Sequence, residues 1–456
     1  MTTNPYQSPQ IQGDYADTSG RLSHARFVVL GFLCLLAGVL YLDRICMSQA
    51  VKAIQKEFTL DKTQMSYVMM AFTLAYGLFE IPTGRWGDRI GARKVLVRIT
   101  VCWSIFTALT GAAWGLYSLL LVRFLFGAGE AGAYPNVARV LSRWFPDNER
   151  GRAQGFVMTA GQLGGVLAPT LAAYLIKYLG WRATFPIFGA VGIFWAVAFW
   201  LWFRDDPAEH PAVTPGELAV IRASASRPPA QHEAVPWGLV LTNPSIWILG
   251  TIITCSAFNS YFYFSWFGDY LMSGRGVEEV TAGKLTSLVL AGSAIGTIAG
   301  GFVADWLVRR YPDIDLARRC LGSGCFALAA LFLFLGIFCQ SPAATAALAA
   351  LSCLAAFLVL PTWWTCAIKI SGKHVGSLFG LLNMMGVVGA LASQFFIGRF
   401  VDLRKAWGFV GREQWDPALY VFVAALLVAA ILWGCYRSVP VELEEGKKRE
   451  SSPLLP

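Results

Sequence analysis

Charge is what this chain has least of. Asp, Glu, Lys and Arg make up 14% of its 456 residues, against 56% hydrophobic. Soluble domains carry nearer a quarter charged, so a soluble enzyme, a nucleic-acid binder and a disordered scaffold are all excluded together. Histidine is scarce as well: the four, at 24, 210, 232 and 374, fall in tails or loops or at the very edge of an apolar run, which leaves no histidine proton relay inside the bundle. Ten Cys occur singly, with no CxxC pair and no His at ligand spacing, so neither a disulfide framework nor a metal site is indicated. No nucleophile stands with a base at usable spacing, which argues against an enzyme. Met1 to Gly20 is polar and has no basic flank running into a cleavable apolar core, and it reads as a short cytoplasmic tail.

What the chain does have is length and grease. Its mean hydropathy is +0.53, and a hydrocarbon core about 30 Å thick needs roughly 20 apolar residues per helix. Apolar stretches fall at 26–49, 64–83, 94–112, 116–138, 153–177, 182–203, 244–272, 282–308, 318–340, 343–368, 374–400 and 417–437. The pattern predicts an all-α membrane protein of twelve transmembrane helices. The longest polar interval, 204–243, is scattered with six Pro and reads as a loop with little regular structure. The expected organisation is a tail over 1–25, a six-helix bundle over 26–203, a cytoplasmic central loop over 204–243, a second bundle over 244–437 and a tail over 438–456.

The net charge of +9 comes from short basic runs between apolar stretches, which suits orientation in a membrane better than nucleic acid. Arg85, Arg89, Arg93 and Lys94 lie between helices 2 and 3, Arg143, Arg150 and Arg152 between 4 and 5, and Arg309, Arg310, Arg318 and Arg319 between 8 and 9. Loops 3–4 and 9–10 have none, although loop 11–12 breaks the pattern with Arg404, Lys405 and Arg412. Both termini are therefore expected in the cytoplasm.

The halves also repeat. Gly84-Arg85-Trp86-Gly87-Asp88-Arg89 follows helix 2, and Gly301-Phe302-Val303-Ala304-Asp305 with Arg309-Arg310 follows helix 8; Gly155, Gly161 and Gly164 match the spacing of Gly380, Gly386 and Gly389. Duplicated bundles about a midplane site are a transporter pattern.

Two charge pairs interrupt the apolar runs. Helix 1 ends in Leu40-Tyr41-Leu42-Asp43-Arg44, and a charge in hydrocarbon costs at least ~2.5 kcal/mol, so both should face an interior cavity or each other. In helix 4, Arg123 and Glu130 are seven residues apart, two turns, on one face. Two interior Arg suit bidentate grip of carboxylates, and two buried carboxylates suit loading and release of protons. The pattern reads as a site for an organic anion coupled to protons. Structural ion pairing remains the alternative for Glu130.

Here the chain resembles the major facilitator superfamily, whose loop signature takes the form Gly84-x-x-x-Asp88-Arg89-x-Gly91-x-Arg93-Lys94. The resemblance implies two pseudo-symmetric six-helix bundles and a conformational latch at Gly84, Asp88, Arg89 and Arg93, with Asp305 in the second half. Asp43-Arg44, the run from Arg123-Phe124 through Glu130 to Pro135, and Trp144-Phe145-Pro146-x-x-Glu149-Arg150-Gly151 resemble the anion:cation symporters within it. Bacterial members of that family import hexuronates, aldonates such as galactonate, and aromatic acids. The resemblance implies a proton-coupled symporter of the bacterial inner membrane, importing a sugar acid by alternating access, with Asp43 and Glu130 as the protonation pair and Arg44 and Arg123 facing the substrate. It places Tyr76, Gln162 and Asn383 where hydroxyl and amide contacts fall.

Tyr261, Trp363 and Trp364 are aromatic candidates for stacking on the C–H faces of a sugar acid. Glu80 is expected to pair with a loop cation such as Arg85, and Arg98 to snorkel without a role in transport. Where relatives often have Asp after the helix-10 Trp segment, this chain has Ile368-Lys369-Ile370. No cofactor is expected beyond protons as the coupling ion; the partners are a small organic anion, protons and membrane lipid, not nucleic acid, and the chain is expected to act as a monomer. An anion uniporter or exchanger for aromatic or other carboxylates is the nearer alternative, and a non-transporting membrane sensor the farther one.

Overall fold

The computed structural model describes residues 23–222, 237–371 and 375–438, and every regular element among them is helical. Ten stretches are long and apolar enough to cross a bilayer. The longest of them is two helices joined at Gly180, whose φ of 79° is a conformation that glycine adopts without strain. Lys62–Ile90 is long enough but diluted by Thr, Gly and charge, and it completes the twelve. The chain is a multi-pass membrane protein.

The spanning helices are α1 (Ala25–Phe58), α2 (Lys62–Ile90), α3 (Ala92–Gly111), α4 (Leu116–Trp144), α5 (147–179) and α6 (181–202) in the first bundle. The second holds α7 (Pro244–Ser265), α8 (Glu279–Arg310), α9 (Ile314–Phe338), α10 (Pro342–Ser371), α11 (Val375–Ala406) and α12 (Arg412–Cys435). Several run well past the apolar stretches that predict them; α1 extends nine residues beyond 49. The face from which α1 starts and at which α12 ends is called the tail face below, and the opposite one the far face.

The segment over 204–243 holds more structure than its prolines suggest. It contains a 3-10 turn, Pro207–Glu209, and helices Pro215–Arg222 and Trp237–Thr242. Glu217 explains the middle one. Its buried carboxylate accepts from the backbone amides of Ala25 at 3.3 Å and Arg26 at 3.2 Å and from the Ser23 hydroxyl. It caps the start of α1, where unpaired amides and the helix dipole favour an anion. His210 lies buried against the Trp144 and Trp202 rings and bonds the Trp202 carbonyl at 3.0 Å. The linker is thereby fastened to the first bundle.

The bundles meet along two antiparallel seams, α2 with α11 and α5 with α8. Near the far face both are shut. A Cβ on Gly398 of α11 would lie 2.6 Å from the Lys62 carbonyl and 2.8 Å from Ser66, and one on Gly283 of α8 would lie 2.7 Å from Ala173. Small residues let helix backbones approach this closely. Asp402 at the end of α11 then caps α2 from the other bundle, accepting from the amides of Lys62 at 3.1 Å and Thr63 at 2.7 Å and from the Thr63 hydroxyl at 2.6 Å. The Lys62 ammonium pairs with the fully buried Asp269 beyond α7 and donates to Gln55 at 2.6 Å.

Eighteen residues make five turns, returning a helix to the same face. Gly155 (173 − 18) and Gly301 (283 + 18) therefore occupy the same seam faces as Ala173 and Gly283, five turns nearer the tail. So does Gly380 (398 − 18). Among the described residues, a Cβ on any of these three would meet nothing within 4 Å. The seams splay toward the tail face.

Candidate functional site

The charged residues of α1 and α4 converge at the midplane. Arg44 donates from Nε to Glu130 Oε1, an ion pair whose Glu side chain is 1% exposed. The Arg44 guanidinium lies 4.4 Å from the centre of the Tyr76 ring, 5.4 Å from Phe72 and 5.8 Å from Tyr41. Such ring faces stabilise a cation by about 0.5–2 kcal/mol once it is desolvated. Arg123, also buried, lies 4.6 Å from Phe126 and 5.1 Å from Phe72, and it makes no ion pair among the described residues. Neither oxygen of buried Asp43 has a hydrogen-bond partner, and Glu130 Oε2 has none.

The backbone of α4 contributes to this arrangement. Helix geometry holds from Leu116 to Glu130, breaks at Ala131 (ψ 141°) and Gly132 (φ 84°), and resumes at Ala133. A broken spanning helix is tolerated only where it lines protein or a cavity, and the break falls directly after the carboxylate. The run of small residues made this stretch legible as a place of close approach but not as a discontinuity.

A cavity of about 170 Å³ opens beside these residues. The first bundle lines it with Tyr41, Arg44, Ile45, Met47, Ser48, Met69, Phe72 and Arg123, and the second with Tyr261, Phe264, Ser265 and Gln394. The two guanidiniums thus face aromatic and amide groups of the opposite bundle. Gln394, not anticipated from the sequence, accepts from Thr73 of α2 at 3.0 Å and donates to Ser265 of α7 at 3.0 Å. Its signal was a polar pair, Ser393-Gln394, in the apolar run of α11, which is indistinguishable by type from ordinary helix-to-helix glue.

Other expected residues lie around this cavity rather than on it. Tyr76 contributes its ring to Arg44. Asn383 donates to Glu80 Oε2 at 2.7 Å, joining α11 to α2 toward the tail face; the Arg85 side chain proposed as a partner for Glu80 lies outside the described residues. Gln162 is half-buried in α5. Trp363 lines a separate, mainly apolar cavity of about 140 Å³ within the second bundle, with Ile252, Phe326 and Leu360 among its walls, and Trp364 is exposed.

Of the expected latch residues, Arg93 and Asp305 have described side chains. The side chains of Gly84, Asp88 and Arg89 lie outside the described residues. Arg93 is held inside the first bundle, where its backbone amide bonds Asp205 at 3.0 Å and its guanidinium bonds the Trp200 carbonyl over that residue's ring. Asp305 is exposed and makes no ion pair among the described residues. Among the described residues, the ionic contacts between bundles are at the far face, in the Lys62–Asp269 and Lys177–Glu278 pairs.

Twelve helices in two like bundles, broken at a charged midplane cavity and parted along two seams at one face, define a transporter rather than an enzyme. The chain belongs to the Major Facilitator Superfamily, whose profile matches residues 33–394. It is 32% identical to the probable sulfoacetate transporter of Cupriavidus necator, over 83% of this chain and 87% of that one. It is 29% identical to the probable galactarate/D-glucarate transporter of Bacillus subtilis, over 97% and 99%. The fold is similar to that of a bacterial homolog of the human lysosomal transporter Spinster, with a TM-score of 0.75 at 20% identity, over 91% of this chain and 97% of that one.

Proposed function

We propose that the protein is a proton-coupled symporter that imports a small organic anion, of the sugar-acid class, across the bacterial cytoplasmic membrane. The observation that carries this reading is the unequal state of the two cavity guanidiniums: Arg44 is held by Glu130, while Arg123 makes no ion pair among the described residues. One cation is ready for an anion, and the second becomes so when Glu130 takes a proton. Breaking a buried pair by leaving one charge uncompensated costs about 3–5 kcal/mol. Protonation of Glu130 together with arrival of a carboxylate at Arg44 replaces one compensated pair by another. Asp43, buried and with no ion pair among the described residues, is the second proton carrier of this scheme.

The tail-face loops carry the basic runs, which favours that face as cytoplasmic, with both termini and the 204–243 linker on the same side. Protons and anion then enter from the far face, the bundles rock about the cavity, and loss of the Glu130 proton to the cytoplasm returns Arg44 to its partner and releases the cargo. The names of the relatives, transporters of sulfoacetate and of galactarate or glucarate, support a compact polar anion as cargo. No cofactor enters this scheme.

The test is uptake of labelled glucuronate, galactonate and sulfoacetate into proteoliposomes with an imposed pH gradient. Accumulation that follows the gradient is expected; accumulation indifferent to it makes the protein a uniporter or exchanger. Arg123→Ala should abolish binding, whereas Glu130→Gln should spare counterflow and lose gradient-driven accumulation. A Glu130→Gln protein that concentrates substrate as the parent does would remove the proton assignment.

A further inference from the structure

Glu80 is an ionisable residue of α2 that the scheme above does not use. It follows Tyr76 by one turn and Thr73 by two, so it shares the face on which Tyr76 meets Arg44 and Thr73 meets Gln394. That face looks into the cavity and toward α11, and Glu80 is its next polar group on the tail side. Its carboxylate accepts from Asn383, an exposed residue of the other bundle, at 2.7 Å. The cation acting on it is Arg44. Beyond it, a Cβ on Gly380 would meet nothing within 4 Å among the described residues. A cargo moving between the guanidiniums and the tail face passes this carboxylate.

We propose that Glu80 is a specificity-determining residue that ranks cargo by charge number, favouring singly over doubly charged anions. The inference rests on the anion-transport reading and deepens it. With Glu80 counted, three carboxylates, Asp43, Glu80 and Glu130, stand around the cavity whose walls include two guanidiniums, Arg44 and Arg123. Among the described residues Glu80 is fastened by a neutral amide and makes no ion pair, so its charge is held in place without a directly bonded counter-ion. Coulomb repulsion scales with the product of the charges, so a second charge on the cargo doubles the penalty in free energy and squares it in affinity. Screening on the wet side holds the effect to about threefold per cargo charge.

The experiment is equilibrium binding to the full-length purified protein of gluconate and glucarate, six-carbon polyhydroxy acids that differ by one carboxylate. Glu80→Gln keeps the chain length and an oxygen for Asn383 but removes the charge. It should tighten gluconate about threefold and glucarate about tenfold. Asn383→Ala cuts the bridge and leaves the charge, and should keep the parent's ratio of the two affinities. Equal gains for both ligands with Glu80→Gln, no gain, or a ratio altered as much by Asn383→Ala would overturn the inference in favour of a plain helix tether. Wild-type protein that binds both ligands while Glu80→Gln changes neither removes this inference alone; wild-type protein that binds neither removes the sugar-acid cargo as well.

Discussion

The far and tail ends of the same two seams present the same helix faces yet behave in opposite ways. At the far end Gly398 rests on Lys62 and Ser66, and Gly283 on Ala173; five turns away Gly380, Gly155 and Gly301 face open space. Small residues therefore do not decide which end is shut, since both ends have them. What differs among the described residues is the polar hardware. Asp402 caps α2, Lys62 meets Asp269, and Lys177 meets Glu278 at the far end, whereas Glu80–Asn383 bridges α2 to α11 toward the tail. Glycine permits closure, and bonded charge selects where it happens.

The sharpest way to break this comparison is steric. Gly398→Leu places carbon 2.6 Å from a backbone carbonyl that has no rotamer to move, so the far end cannot shut. Overpacking costs of about 1–3 kcal/mol translate into a loss of uptake of roughly 5- to 150-fold. Gly155→Leu, facing open space, should leave the far end shut. Labelling of an introduced far-face cysteine reads both variants, and equal accessibility in the two would show that the seam faces are misassigned.

Next in size is the cap. Asp402→Ala strands two amides at the start of α2, and loss of such a cap costs about 0.5–2 kcal/mol, a roughly 2- to 30-fold shift toward a far-open state. Distances between spin labels at the two rims should broaden toward longer values, and an unchanged distribution would mean that the cap is incidental. The smallest effect belongs to the exposed Lys177–Glu278 pair at 2.8 Å. Lys177 lowers the proton affinity of Glu278, so the pair contributes above the ordinary carboxylate range and is lost as pH falls through the lowered value. Glu278→Gln should change uptake less than about twofold, with even that difference vanishing at high salt; a larger change would promote the pair to part of the gate.

The twelve helices were legible because a bilayer demands apolar runs of fixed length. Helix α2 is the instructive one: Thr, Gly and its flanking charges hide it from hydropathy, yet the run at 64–83 is visible between turns. The convergence of Asp43, Arg44, Arg123 and Glu130 was legible from the cost of leaving charge in lipid, which forces such residues inward. Of the aromatic candidates Tyr261 lines this cavity and Trp363 another one, since an aromatic ring packs equally well inside one bundle. Gln394 and Asp402 escaped because their meaning lies in pairings across more than 300 residues, which no local pattern encodes. The ordered turn around Glu217 escaped for the same reason; its prolines were visible and the helix end that it caps was 192 residues away.

The cap on α2 also bears on how the molecule is made. Thr63 is 339 residues ahead of the carboxylate that satisfies its amide, so during synthesis the first bundle is complete in length long before its second helix has a finished end. The first bundle therefore lacks this cap until the second is made. Co-expressed halves would have to dock before that turn is paired, and a chain stopped short of α11 would leave it bare. The far-face closure of this transporter is thus among the last parts of it to be completed.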